Sequence, residues 1–94
     1  MKKVAIMVRQ PQRQHEALRS SLGCLLENLE VTYLVLDHEV PAEAPFTDNL
    51  SFLDDMEGRR FSNHPANAAQ HGFTYMTLED MGEFLRQQDI IIPF

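Results

Sequence analysis

Arg60-Phe61-Ser62-Asn63-His64-Pro65-Ala66-Asn67-Ala68-Ala69-Gln70-His71-Gly72-Phe73 reads as a strand that runs into a polar turn and then a short helix. Pro65 suits the first helical position, where its missing N–H costs nothing, and Gly72 suits the position just past the helix end, which often requires positive φ. His64 is then the N-cap, at the mouth of a strand. A junction of this kind is where an α/β protein places chemistry, because ligands bind beyond the carboxyl ends of parallel strands.

Outward from this junction the chain repeats the pattern. Lys3 to Val8 is an apolar, β-branched run without clear alternation, as expected for a strand buried on both faces. Leu18, Leu22, Leu25 and Leu29 recur at helical spacing between His15 and Leu29, with Ala17 and Leu26 widening the stripe. Val31 to Asp37 is the second strand, and strand–helix–strand in this order implies a right-handed crossover. Pro41 and Pro45 mark His38 to Asp48 as a surface loop. Thr47 is expected to cap a short helix carrying Leu50, Leu53 and Met56, with Gly58 as its stop. Arg59 to Ser62 and Phe73 to Met76 are short strands, and Thr77-Leu78-Glu79-Asp80 opens a helix whose buried face is Leu78, Met81, Phe84 and Leu85. Asp89-Ile90-Ile91-Ile92-Pro93-Phe94 is expected to be a central strand covered on both sides. The fold class is therefore α/β: a three-layer α/β/α sandwich around a mainly parallel five-stranded sheet.

The 94 residues, 44% of them hydrophobic, fit a single domain over residues 1–94 that buries roughly two thirds of its unfolded-chain surface. Fourteen acidic against eight basic residues give a net charge of -6, which disfavours nucleic acid and anionic membranes as partners. The longest apolar runs are strand-sized and no leader-like segment is read, so a cytoplasmic location is expected. The lone Cys24 permits no internal disulfide and supplies too few thiolates for a zinc or iron–sulfur site. It falls on or beside the buried face of the first helix, where a thiol usually acts as a small hydrophobe. No Gly-rich phosphate loop follows the first strand, no Gly-x-Ser-x-Gly elbow occurs, and no cofactor is expected.

The strand-end rule gathers the candidate residues on one edge: Arg9, Gln10, Gln12 and His15, then Asp37 and His38, then Ser62, Asn63 and His64. His64 is the single catalytic candidate, since an imidazole near neutrality can act as a base, a metal ligand or a donor to an anion. The plainer alternative is that it only caps its helix. His15, His38, His64 and His71 lack the close spacing of metal motifs, so no metal set is assigned. Phe46, Phe52 and Tyr75 are candidates for an exposed apolar patch.

The strand–His64–Pro65–helix–Gly72 stretch resembles the motif of the DsrE/DsrF-like family of small sulfur-relay proteins. In that family a strand ends at a cysteine followed by Pro and a short helix closing with Gly. The order of elements, from Lys2-Lys3-Val4-Ala5-Ile6-Met7-Val8-Arg9 to Asp89-Ile90-Ile91-Ile92-Pro93-Phe94, is similar to that family over essentially the whole chain. His64 stands where the sulfur-carrying cysteine would be, and a histidine cannot carry a sulfane sulfur. The resemblance implies a homo-oligomer, or assembly with related DsrE-like subunits. The expected function is a non-catalytic, oligomeric binding or accessory protein linked to intracellular sulfur metabolism. Two alternatives stand beside it. One is a sulfur carrier, transferase or other enzyme using Cys24, or His64 with Asn63 and Ser62. The other is a metal- or small-anion-binding protein using His64 with His15 or His38.

Overall fold

The computed structural model describes residues 1–94. Five strands, β1 (Lys3–Val8), β2 (Glu30–Val35), β3 (Arg59–Ser62), β4 (Thr74–Tyr75) and β5 (Ile90–Pro93), form one sheet in the order β4-β3-β2-β1-β5. Every pair is parallel. The crossovers are α1 (Gln14–Leu26), α2 (Phe46–Asp55), α3 (Pro65–Gln70) and α4 (Leu78–Leu85), with a 3-10 turn at Pro11–Arg13 before α1.

Side-chain parity divides the core into two layers. Val4, Ile6 and Val8 of β1 and Val31, Tyr33 and Val35 of β2 meet Ala17 and Leu18 of α1 and Phe46, Leu50 and Leu53 of α2. The residues between them, Ala5 and Leu34, turn to the other face with Leu36 and meet Met81 of α4, flanked by Met7, Phe61, Phe84 and Leu85. Helices on both faces explain why neither central strand alternates in polarity. The first three crossovers step one strand at a time from β1 to β4. The last reverses direction to reach β5 beyond β1, and a right-handed crossover running backwards places α4 on the opposite face.

Local signals account for most boundaries. Thr77 Oγ1 accepts the Asp80 N–H at 3.1 Å, so the α4 cap forms as its sequence predicts. Gly72 lies at φ +73 just beyond α3. Helix α1 stops at Leu26 rather than at Leu29. Asn28 takes φ +62, its N–H donates to the Leu25 carbonyl, and Leu29 N–H donates to the Cys24 carbonyl at 3.3 Å, the paired bonds of a Schellman stop. Leu26 is consequently 77% exposed and does not widen the buried stripe. Helix α2 ends the same way. There Glu57, at φ +66, is the left-handed residue, and Gly58 donates to the Leu53 carbonyl. Gly58 serves clearance instead of φ, because a Cβ at that position would stand 2.7 Å from Leu53 Cδ1.

Three expectations are corrected. Helix α2 begins at Phe46, so Thr47 lies inside it and does not cap it. Phe46 is fully buried in the larger core layer, while Phe52 and Tyr75 are exposed, on α2 and β4 respectively. β5 is an edge strand, not a central one: only β1 pairs with it, and Ile90 and Ile91 are exposed.

Candidate functional site

In an all-parallel sheet every strand delivers its carboxyl end to the same edge, so the residues after β1, β2 and β3 become neighbours. Asp37 leaves β2 with φ +70, a left-handed conformation that a short polar side chain tolerates. That turn lets it exchange two bonds with Asn63. The Asp37 N–H donates to Asn63 Oδ1 and Asn63 Nδ2 donates to Asp37 Oδ1, each at 2.8 Å. Arg9 completes the row, its guanidinium 3.7 Å from Asp37 Oδ2 and well exposed.

Behind this row lies a buried layer. Ser62, the last residue of β3, is fully buried, and its hydroxyl oxygen accepts the His64 N–H at 3.0 Å and Asn67 Nδ2 at 2.9 Å. Asn67, also fully buried, donates from Nδ2 to the His38 carbonyl and accepts the Val40 N–H at Oδ1, both at 2.9 Å. One side chain of α3 thereby clamps the loop after β2 to the end of β3. Its amide satisfies groups that are buried at Val40 and Ser62 and partly buried at His38.

His64 holds the N-cap position with φ −92, and its Nδ1 accepts the Ala66 N–H at 3.2 Å. The imidazole lone pair is therefore spent on the helix, and in the neutral ring the proton resides on Nε2. Pro65 has no N–H, and the Asn67 N–H donates to the His64 carbonyl. The Ala66 and Asn67 amides of the first turn are thus already engaged and are not open to an incoming anion. No Ser–His nucleophile pair exists either, since the Ser62 hydroxyl bonds to a backbone amide and an asparagine, not to the His64 ring.

The remaining candidates are placed apart from this row or below it. His38 sets Nδ1 3.0 Å from the Leu36 carbonyl and Nε2 3.1 Å from Gln14 Oε1. Burial depresses its pKa below the usual 6.5, helped by nearby His64 and opposed by the Leu36 carbonyl and Asp37. His15 turns toward α2 and meets Phe46 edge-on, ring centroids 5.1 Å apart. Gln10 is exposed and precedes the 3-10 turn, contributing its carbonyl to the Arg13 N–H. Tyr33, buried in the core, donates its hydroxyl to the Gln14 carbonyl, and burial raises its pKa strongly.

Cys24 is half-buried against the larger core layer, in the last turns of α1. Since α1 starts at the carboxyl edge and advances ~1.5 Å per residue, the thiol is carried about 15 Å along the axis from Gln14. No three His, Cys, Asp or Glu side chains anywhere in the chain gather to hold a metal ion. No helix is long and apolar enough to cross a membrane.

Sequence reasoning brought Arg9, Asp37, Ser62, Asn63 and His64 together correctly as neighbours on one edge, and overlooked Asn67. Nothing in one dimension marks an asparagine in an alanine-rich helix as a buried hub. The only hint is its placement on the turn directly above Ser62 and His64. No protein-family model matches the chain, and no curated protein is significantly similar to it.

Proposed function

We propose that this protein is a non-catalytic, oligomeric binding or accessory module built on a DsrE-like scaffold and linked to intracellular sulfur handling. The observation that carries the reading is the state of the carboxyl-edge cluster. Ser62, Asn63, Asn67 and the Nδ1 of His64 are all engaged in holding loops and a helix start, which leaves no nucleophile poised beside a base. Arg9, well exposed beside Asp37 at 3.7 Å, is suited to docking an acidic group instead of performing covalent chemistry. The thiol that a sulfur carrier would need at the end of β3 is replaced by His64, and Cys24 sits far along α1. The link to the DsrE/DsrF-like family rests on the resemblance of that junction and on the all-parallel five-stranded sheet.

Native mass spectrometry of the full chain, before and after a polysulfide donor, tests both halves of the proposal. The expected result is an oligomer whose mass does not change on exposure to the donor. A monomer at every concentration from low to high micromolar would remove the assembly half. Sulfur retained on Cys24 would replace the accessory role with that of a sulfur carrier.

A further inference from the structure

Helix α4 is the only helix on its face of the sheet, and it leaves part of that face bare. Five strands spaced at about 4.8 Å span about 19 Å, whereas a helix with its side chains is about 10 Å across. Ile91 and Pro93 share this face with Ala5 and Met7, their partners in the β1–β5 register, and both are exposed. The helix leans the other way. Its Phe84 packs on Phe61 of β3, ring centroids 5.8 Å apart, with the Arg59 guanidinium over the same ring at 5.7 Å. At ~100° of turn per residue, Leu78, Gly82 and Leu85 fall on the opposite flank, toward β1 and β5. Leu78, which the sequence assigns to the buried face, is 54% exposed there. Gly82 stands in the middle of the helix, where glycine is the poorest residue short of proline. Nothing within the chain asks for it: its backbone is helical, and a Cβ at that position would meet no atom within 4 Å. Gly23 is open in the same way, but it lies in the last turn of α1, where the penalty is smaller.

We propose that α4 packs against α4 of a second copy, antiparallel, about a two-fold axis passing between the two Gly82 residues. The inference rests on the oligomeric reading above and locates its interface. A two-fold axis makes the contact self-complementary. The missing side chain of Gly82 lets the two backbones approach closely at the crossing, a use that exists only when another chain is present. Charge selects both this occupant and this direction. Glu79 lies three residues before Gly82 and Arg86 four after it, so antiparallel packing brings Glu79 of each copy beside Arg86 of the other. Glu79 has no ionic partner within the chain, and Arg86 has only Glu83, one turn back at 3.0 Å, with both side chains well exposed. Parallel packing would instead set Glu79 against Glu79 and oppose like ends of the helix dipoles. In the antiparallel pair Leu78 comes beside Leu85 of the other copy, and the second helix closes over the groove between α4 and β5.

Sedimentation velocity of the full chain over a micromolar concentration series tests this with three variants. Wild type is expected to dimerise. Glu79→Arg and Arg86→Glu each turn two attractions into two repulsions, and each is expected to raise the dimer Kd about tenfold. An equimolar mixture of the two is expected to recover dimer, because a mixed pair regains both opposite-charge contacts. Gly82→Gln places a side chain in open space in the isolated chain but between two backbones in the dimer. It is expected to raise the urea midpoint in dilute protein and to raise the dimer Kd about tenfold or more, two effects of opposite sign that helix propensity alone does not produce. Circular dichroism establishes that each variant is folded, and the charge-swap pair decides alone if Gly82→Gln is not. A wild-type monomer overturns this inference and the oligomeric reading together. A dimer that none of the variants weakens overturns the α4 interface and leaves the oligomer standing. Charged variants that are weakened alone and do not recover on mixing overturn the antiparallel register about Gly82.

Discussion

Replacing Asn67 by alanine takes a bond from three groups at once: the Val40 N–H and the Ser62 hydroxyl, both buried, and the partly buried His38 carbonyl. Asn67→Ala is expected to cost ~3 kcal/mol in urea unfolding, and Asn63→Ala ~1 kcal/mol or less because its partners can turn to solvent. Equal losses from the two would contradict the role of Asn67 as a clamp. His64→Ala removes a cap and is expected to cost ~1 kcal/mol, with His64→Asn or His64→Ser recovering most of it. His64 was legible because capping is a local rule, read from the Pro65 that follows. Asn67 was not legible because its partners lie 5 to 29 residues away and only the fold gathers them. His38 adds a pH dependence. Its folded pKa lies below its unfolded value of 6.5, so the unfolded chain binds the proton more tightly. The stability it contributes is complete above that value and is lost as the pH falls from there through the folded pKa. His38→Gln is expected to flatten the urea midpoint over that acidic window while leaving the dependence at higher pH unchanged.

At the scale of elements, the boundaries that matched their sequence signals are those with a side chain or a proline at the turn: Pro65 and Gly72 around α3, and Thr77 before α4. Those that shifted depend on tertiary packing. Phe46 reads as part of a loop after Pro45, but the larger core layer takes its ring, edge-on to His15 of α1, and α2 starts there. Leu26 reads as core by periodicity, yet the Schellman turn at Asn28 ends α1 and leaves the side chain in water. Mutation reverses the two hydropathy-based assignments. Phe46→Ala is expected to cost about 3–5 kcal/mol, since it empties a buried ring site and removes the edge contact of His15. Leu26→Gln is expected to change stability by less than ~0.5 kcal/mol. Calorimetric melting of the two variants separates these outcomes, and a large loss at Leu26 would place that side chain in a contact the isolated chain does not contain.

For the whole molecule, the decisive property is the strand order, which hydropathy could not supply. Three isoleucines in a row look alike at the centre of a sheet and at an edge that another surface covers, so the composition of β5 predicted burial without saying what buries it. Amide hydrogen exchange distinguishes the cases residue by residue. β1 and β2 lie inside the sheet, and amides of Ile6, Tyr33 and Leu34 are expected to exchange only through global unfolding. Thr74 and Tyr75, in the two-residue strand at the far edge, are expected to exchange through local opening. In dilute protein β5 is expected to alternate, with Ile90 and Ile92 protected by β1 and Ile91 fast, because the Phe94 bond to Met7 and the pairing of Met7 with Pro93 set that parity. Protection of Ile91 at raised concentration would mean that another surface covers the outer edge. Alternation that persists unchanged at high concentration would mean that water, and not a second sheet, satisfies the outer edge of β5. The apolar run would then owe its composition to the side chains that reach the core, of which Ile92 is the one packed against it.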